Sequence, residues 1–347
     1  PAAHAALGRP PAWLGWVART RSAALVNALA SVGPLARPAK RLGGIAGERD
    51  IPRVADRTFT RWWRERRTPE PARTPDTAGT PDPAGTTVVL WPDTFTEHLS
   101  PSVGRAAVRV LEAAGLRVIL PPTLRPGRRP VGDARSRSAL SLLAARRGRV
   151  CCGLTYISTG QLDRARAVLR RTLDLLEPVL ATDAPLVVLE PSCAAALRTD
   201  APELLHDDPR AARLAARVRT FAETLAEYAP GWAPPALDRP VTGQTHCHQH
   251  AVLGDAPDRR LRDAAGLTGE LSGGCCGLAG NFGFEKGHYD VSTACAEEQL
   301  LPAVRDAPDD AVVLADGYSC RTQLAQLAGV RGRHLAEVLA EALGDEA

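Results

Sequence analysis

The chain has 347 residues, enough for two or three domains, and its composition excludes several classes of protein. It is 44% hydrophobic and 24% charged with a formal net charge of +4, which is typical of a globular protein and not of a disordered one. No apolar run is long enough to span a bilayer, and no signal-peptide pattern opens the chain. We therefore expect a cytoplasmic location and leave peripheral contact with the inner face of the cell membrane open. Because the chain begins at Pro1 and contains no Met, we expect it to be the carboxy-terminal piece of a longer polypeptide.

Residues 1–67 form a basic segment that we expect to be helical. The segment holds 13 Arg/Lys against 4 Asp/Glu, and apolar residues between Ala23 and Val32 recur at helical spacing. Such a charge excess suits an anionic lipid surface, nucleic acid or an acidic partner domain. Nucleic-acid binding is not expected, because no aromatic and basic platform or known motif accompanies the charge. Residues 68–86 are rich in Pro, Thr and Ala without apolar periodicity, which predicts a linker.

Beyond the linker, short apolar runs alternate with amphipathic helical patterns. The predicted strands are 87–91, 118–120, 186–189, 241–246 and 311–315, and the predicted helices are 102–115, 161–176 and 289–304. This alternation is typical of parallel βαβ units. We therefore predict an α/β fold built from two pseudo-symmetric units, a first half (87–235) and a second half (236–347), preceded by the helical segment.

A Cys-Cys-Gly-Leu string occurs twice, beginning at Cys151 and 124 residues later at Cys275. The second cysteine of each pair is followed by a lone cysteine, Cys193 after 41 residues and Cys320 after 44 residues, and Cys247 precedes the second pair. Repetition at a fixed offset indicates two copies of one structural unit. The three cysteines outside the pairs each follow a predicted strand, and parallel sheets bind ligands at that edge. We therefore expect their thiols to converge.

The second half supplies four thiols from three loops, at Cys247, Cys275, Cys276 and Cys320. Four thiolates are what a cubane 4Fe–4S cluster requires. A structural zinc site is the nearest competing interpretation, although the sequence lacks the Cys-x2–4-Cys pairs that usually mark one. A reactive dithiol at Cys275-Cys276 is a third interpretation. In both strings the glycine that follows the pair supplies the backbone freedom for the two thiols to turn toward one centre.

The first half supplies only three thiols, from Cys151, Cys152 and Cys193. Thr94 stands where the second half has Cys247, just after the first strand of the unit. Three thiols fit either a cluster with one iron left open or a degenerate copy that is kept for packing. The sequence leaves both interpretations open.

Histidines flank Cys247 on both sides and are candidate catalytic residues. Alternation along a continued strand would place His246 and His248 on one face and Cys247 on the other. The two histidines are expected to be neighbours of the cluster or of a quinone and to carry protons, or alternatively to hydrogen-bond within a loop. Glu190 and Asp316 stand shortly before the lone cysteines, and we expect them to orient these loops by accepting backbone N–H groups.

These motifs resemble the cysteine-rich (CCG) domain family, which includes a subunit of heterodisulfide reductase, the iron–sulfur subunit of glycolate oxidase and lactate-utilisation proteins. The sequence is most similar to the carboxy-terminal region of fused FAD-binding and iron–sulfur-binding dehydrogenases that act on D-lactate or D-2-hydroxyglutarate. The strings that carry the resemblance are 93–96, 190–193, 245–249, 275–283 and 316–321. The cluster-binding positions that it implies are Cys247, Cys275, Cys276 and Cys320, with Cys151, Cys152 and Cys193.

The resemblance implies an iron–sulfur electron-transfer module of an FAD-dependent 2-hydroxy acid dehydrogenase. Electrons would come from a flavin and ferredoxin-like clusters, on a preceding part of the polypeptide or on a partner, and would pass to a quinone or another acceptor. The chain carries neither the family's flavin-binding region nor its ferredoxin cysteine run, so we expect it to be inactive alone. It departs from heterodisulfide reductase in having lone cysteines at 193 and 320 in place of Cys-x-x-Cys. A dithiol redox enzyme and a zinc-stabilised interaction module remain the alternatives.

Overall fold

The computed structural model of the protein describes residues 2–66, 86–121 and 150–344. The basic segment is helical, as predicted, whereas the predicted linker lies outside the described residues except for Thr86. The bounds of its helices are Ala2–Leu7 (α1), Pro10–Thr20 (α2), Ala23–Ser31 (α3), Gly33–Leu42 (α4) and Phe59–Glu65 (α5). The apolar spacing in α3 does not mark a buried face. Ala23 is the one buried residue of this helix, and Leu25 is 62% exposed.

A four-stranded parallel sheet forms the centre of the first half. Its strands are Thr87–Trp91 (β1), Arg117–Ile119 (β2), Leu186–Val188 (β3) and Val218–Arg219 (β4). The strand order is β2-β1-β3-β4, and every neighbouring pair is parallel. In β1, Val88 to Trp91 are all buried, as expected for a parallel strand that is covered on both faces.

A three-stranded parallel sheet forms the centre of the second half. Its strands are Arg239–Gln244 (β5), Leu267–Thr268 (β6) and Val312–Ala315 (β7), in the order β6-β5-β7. In both halves the first strand therefore lies between the second and the third. The predicted α/β class with parallel strands is confirmed.

Helices connect the strands and cover both sheets. In the first half they are Thr94–His98 (α6), Pro101–Ala113 (α7), Leu154–Ile157 (α8), Leu162–Leu180 (α9), Pro191–Arg198 (α10), Asp200–Leu204 (α11), Pro209–Arg217 (α12) and Phe221–Tyr228 (α13). In the second half they are a π-helix at Gln249–Leu253, Ala256–Ala264 (α14), a 3-10 helix at Phe282–Phe284, Tyr289–Glu298 (α15), Leu300–Arg305 (α16), Tyr318–Leu327 (α17) and Leu335–Ala342 (α18). Among the described residues, no helix is both long and apolar enough to cross a membrane.

The helix predicted over 289–304 is divided in two, and Pro302 explains the break. Proline lacks the N–H that would bond to the carbonyl four residues earlier, and its ring clashes with that carbonyl. The chain leaves the helical conformation at Gln299, with φ −141° and ψ −48°, and α16 then starts at Leu300.

The two sheets share one hydrophobic core, and each has a second core on its other face. The shared core packs Val88 and Leu90 of β1 and Leu314 of β7 against α7 and α18. The outer core of the first half contains Cys152 and Cys193, and that of the second half contains Cys276 and Cys320. The second cysteine of each pair and the lone cysteine that follows it are therefore packed in the outer core of their own half.

Candidate metal centre

In the first half, the Cys pair reaches the lone cysteine through a sharp turn at Gly153. Gly153 has φ +80° and precedes α8, a conformation that glycine adopts without strain. The Sγ atom of Cys152 lies 3.1 Å from that of Cys193, and both residues are buried. Cys193 stands in the first turn of α10, just after β3. Cys151 is half-buried and lies beside Cys152.

The second half repeats this arrangement. Gly277 has φ +81°, and Cys276 and Cys320 lie in the same hydrophobic core. Cys320 stands in the first turn of α17, just after β7, and both of these cysteines are buried. The N–H of Gly277 donates to the Sγ atom of Cys275 over 3.3 Å. Both strings thus place the second cysteine of the pair against the lone cysteine at the start of a helix.

One cavity joins the two sets of thiols, with a volume of about 240 Å³. Its polar lining residues include Thr94, Ser192 and Ser319, the histidines His246 and His248, and the six cysteines Cys151, Cys152, Cys193, Cys247, Cys275 and Cys276. Cys320 lies behind Cys276 and contacts it. The loops that follow β1, β3, β5 and β7 all reach this cavity, so it lies where the carboxyl ends of both sheets meet. Soft sulfur and imidazole donors suit zinc or an iron–sulfur cluster and do not suit magnesium or calcium. The residues present therefore fit a thiolate-bound metal group.

The thiols around the cavity have raised pKa values. The hydrogen bond with Cys276, followed by burial, raises the pKa of Cys275. The hydrogen bond with Cys152 lowers the pKa of Cys193, but burial and the charges of Asp93 and Glu190 outweigh it and raise that pKa to about 12. Without a metal these thiols are protonated at neutral pH, whereas a redox-active dithiol needs a lowered pKa. Binding a metal here would release protons.

The His-Cys-His string does not follow the strand alternation, because β5 ends at Gln244 and the chain turns into the π-helix. The strand does not continue, so the alternation that would separate Cys247 from the two histidines does not apply. The ligand atoms of His246, Cys247 and His248 all lie within 4.8 Å of one another. The two imidazole rings stack with their centroids 5.3 Å apart. These three residues alone could hold a metal ion.

His246 is buried, and its environment favours the neutral imidazole. Its Nδ1 atom accepts the backbone N–H of His248 over 3.1 Å, so the proton of the neutral ring lies on Nε2. Burial, followed by the neighbouring charge of His248, lowers the pKa of His246 to about 3. Its Nε2 atom is 3.9 Å from the Oε1 atom of Glu190. A neutral imidazole is the form that binds metals.

Glu190 and Asp316 accept backbone N–H groups, as predicted, but the donors lie in more distant elements. Glu190 accepts the N–H of Tyr318 over 2.8 Å and the hydroxyl of Ser192 over 2.9 Å. Asp316 accepts the N–H of Leu335 over 2.8 Å. Since Glu190 belongs to the first half and Tyr318 to the second, this hydrogen bond joins the two loops that carry the lone cysteines.

Sequence reasoning missed two contributions to the site. The rings of Phe95 and Tyr318 stack across the two halves with centroids 4.6 Å apart. Both residues lie within sequence motifs, but nothing in those motifs indicates the stacking. Arg49 of the basic segment is fully buried near the second pair of cysteines. No sequence signal distinguishes Arg49 from the other arginines of that segment.

Comparison with known proteins supports a redox role. No family model matches the chain. The chain is 26% identical to the C component of anaerobic glycerol-3-phosphate dehydrogenase of Escherichia coli (strain K12) over 331 residues, which cover 93% of the chain and 73% of that protein. It is 24% identical to lactate utilization protein A of Bacillus licheniformis over 267 residues, covering 73% of the chain and 98% of that protein. It is 26% identical to D-2-hydroxyglutarate dehydrogenase of E. coli (strain K12) over 267 residues, which cover 74% of the chain but only 22% of that enzyme. These similarities support an oxidoreductase-associated role for the chain.

Proposed function

We propose that the chain is an iron–sulfur electron-transfer module of an FAD-dependent dehydrogenase. The observation that carries the proposal is the single cavity lined by cysteines from both halves. The substrate type that we propose is a 2-hydroxy acid such as D-lactate, glycolate or D-2-hydroxyglutarate. The name of one relative adds glycerol 3-phosphate as a further candidate.

The second half would hold a 4Fe–4S cluster through Cys247, Cys275, Cys276 and Cys320. When bound, the cluster supplies one-electron transfer. The chain's own part is to bring four thiols together from three loops, to bury Cys276 and Cys320, and to exclude water from their side of the site. The imidazoles of His246 and His248 lie beside Cys247 and line the cavity.

Cys151, Cys152 and Cys193 would hold a second cluster in which one iron lacks a cysteine ligand. Thr94, which follows β1 as Cys247 follows β5, also lines the cavity. The proposal treats 87–235 and 236–347 as two copies of one CCG-type unit. The matching strand orders β2-β1-β3 and β6-β5-β7, and the equivalent contacts Cys152–Cys193 and Cys276–Cys320, support it.

The module would need partners on both sides of its electron path. We propose that an FAD-binding domain or subunit and a ferredoxin-like domain deliver electrons, and that a quinone or another acceptor receives them. Alone, the chain would not oxidise a substrate. A cytoplasmic location with peripheral membrane contact would suit a quinone acceptor, and the basic segment 1–67 would face the anionic surface.

Zinc binding is the second candidate function, and the close approach of His246, Cys247 and His248 favours it. With Cys275, which lines the same cavity, this string would make a mixed sulfur and nitrogen site of the kind that zinc prefers. The chain would then be a structural interaction module without redox activity. The dithiol enzyme is disfavoured, because both thiols have raised pKa values. The hydrogen bond with Cys276, followed by burial, raises the pKa of Cys275. The hydrogen bond with Cys275 lowers the pKa of Cys276, but the hydrogen bond with Cys320 and burial outweigh it.

Metal analysis of two serine variants tests the proposal. We expect the anaerobically purified chain to contain at least about four iron atoms. Cys276→Ser should lose about half of the iron or more, whereas Cys295→Ser should keep it, because Cys295 lies outside the cavity lining. Zinc in place of iron, lost on His248→Ala, would support the second candidate and contradict the first.

A further inference from the structure

A short strap from the basic segment is attached to the loop that follows the second Cys pair. The strap consists of residues 44–50. Ile45 forms an isolated antiparallel bridge with Glu285, and the N–H of Ala46 donates to the carbonyl of Phe284 over 2.8 Å. In return, the N–H of Lys286 donates to the carbonyl of Gly44 over 2.9 Å. These backbone contacts fix the course of the chain that leads to Arg49.

The strap buries the side chain of Arg49, which is 0% exposed. Its Nε atom donates to the carbonyl of Gly283 over 2.7 Å, and its Nη2 atom donates to the hydroxyl of Ser292 over 2.6 Å. Its Nη1 atom donates to the side-chain oxygen of Gln323 over 2.7 Å, and its guanidinium lies 4.9 Å from the ring centroid of Tyr289. All of these partners are neutral. Among the described residues, the guanidinium forms no salt bridge with a carboxylate.

A buried cation without a counter-ion is costly, because neutral hydrogen bonds do not replace the hydration of a full charge. Burial accordingly lowers the pKa of Arg49, while the charges of Tyr289, Cys276 and Glu48 oppose that effect. Glu48 is exposed, so water screens its charge. The ring of Tyr289 is a cation–π partner of the guanidinium. Cys276 is the remaining anion, and it carries a charge only when it binds a metal as a thiolate.

The partners of Arg49 also form the wall behind the Cys pair. A Cβ atom added to Gly277 would lie 1.9 Å from the carbonyl oxygen of Ser292, which shows how closely this residue approaches the string. Gln323 follows Cys320 by one helical turn of α17, and its amide donates to the Ser292 carbonyl over 3.1 Å. Ser292 and Gln323 therefore connect the guanidinium to Gly277, the neighbour of Cys276, and to the helix that carries Cys320.

We propose that Arg49 is the fixed counter-charge of the metal–thiolate centre held by Cys276 and Cys320, and that it raises the reduction potential of that centre. The inference rests on the proposed iron–sulfur function. Reduction by one electron adds one negative charge to the centre, and no bond to Arg49 forms or breaks. A nearby positive charge in a poorly solvated interior stabilises the reduced form more than the oxidised form. Arg49 is a positioning residue that acts through the electrostatic field.

The test is an anaerobic redox titration followed by EPR, on the whole chain with its metal bound. Arg49→Met should shift the midpoint of the second-half cluster to a more negative potential. We expect at least about a tenfold change in the reduction equilibrium, which is about 59 mV for one electron. Arg217→Met is the matched control and should leave the midpoint unchanged. Arg217 is a part-buried arginine paired with Asp183, and both stand at the amino ends of β3 and β4, away from the cavity.

A second variant keeps the test decisive if Arg49→Met does not fold. Gln323→Glu retains the arginine and the side-chain shape but places a carboxylate beside the guanidinium, so it should shift the midpoint in the same direction. Bound iron with an unchanged midpoint in both folded variants would overturn the inference while the proposed function stands. A wild-type chain without iron would instead overturn the proposed function, and the inference with it.

Discussion

Replacing the glycine of each Cys-Cys-Gly string with alanine tests the geometry of the site in a matched pair. Gly153 and Gly277 have nearly the same backbone conformation, with φ +80° and +81°. They differ in the room for a side chain. A Cβ atom at Gly153 would be 3.6 Å from its nearest neighbour, Leu169, whereas one at Gly277 would be 1.9 Å from the backbone oxygen of Ser292.

The expected cost of each variant follows from these distances. A left-handed conformation costs an alanine about 1–2 kcal/mol, and both variants incur that cost. Only Gly277→Ala also forces the backbone near Ser292 to move, which adds about 1–3 kcal/mol of overpacking. We therefore expect a loss in the free energy of unfolding of about 1–2 kcal/mol for Gly153→Ala and about 2–5 kcal/mol for Gly277→Ala.

Urea unfolding of the reduced, metal-free chain, followed by circular dichroism, measures both losses without interference from metal release. Gly280→Ala is a further control, because Gly280 has φ +67° and no atom within 4 Å of an added Cβ. Its loss in the free energy of unfolding should be similar to that of Gly153→Ala. Equal losses for Gly153→Ala and Gly277→Ala would refute the close approach of Ser292 to the second string.

Three further predictions concern residues of the first half. Burial, followed by the charge of Glu190, raises the pKa of Asp93 to about 6, so folding favours the protonated carboxyl. The free energy of unfolding of the wild type should therefore fall relative to that of Asp93→Asn, by about 3 kcal/mol in total, as the pH rises from about 4 to above 6. Denaturation of both proteins at a series of pH values measures this difference. A difference that does not change with pH would contradict the prediction. Glu190→Ala should lower the free energy of unfolding by about 1–3 kcal/mol, because the N–H of Tyr318 loses its acceptor. Glu190→Gln keeps an acceptor and should lower it less in the same assay. Similar losses in the two variants would argue against this contact. Thr94→Cys should add the fourth thiol of the first half and slow the loss of iron to a chelator, and an unchanged rate would speak against a cluster there.

Five strands of the α/β halves were predictable because local patterns are strong there, whereas the two-residue strands β4 and β6 and several of the helices were not predicted. The continuous apolar run 87–91 is a strand with the predicted bounds, since both of its faces are buried. Pairing of the second cysteine of each string with the lone cysteine is consistent with their repeated spacing. The positive φ of both string glycines also agrees with the sequence analysis.

Contacts between distant segments were not predictable from local patterns. The strap at 44–50 reaches Glu285 and Gly283 only because the chain returns to the second half after more than two hundred residues. The directions of the Cys247 side chain and of the neighbouring histidines depend on the residue at which β5 ends. Apolar periodicity does not define that end. The shared cavity likewise results from the packing of two sheets on one core.

Reversible reduction of the anaerobically purified chain tests the proposed electron-transfer function. We expect a brown protein whose visible absorbance bleaches with dithionite. Its EPR spectrum should be that of reduced iron–sulfur clusters, and the signal of the second-half cluster should be lost in Cys276→Ser and kept in Cys295→Ser. A colourless, EPR-silent protein that contains zinc would contradict an electron-transfer function.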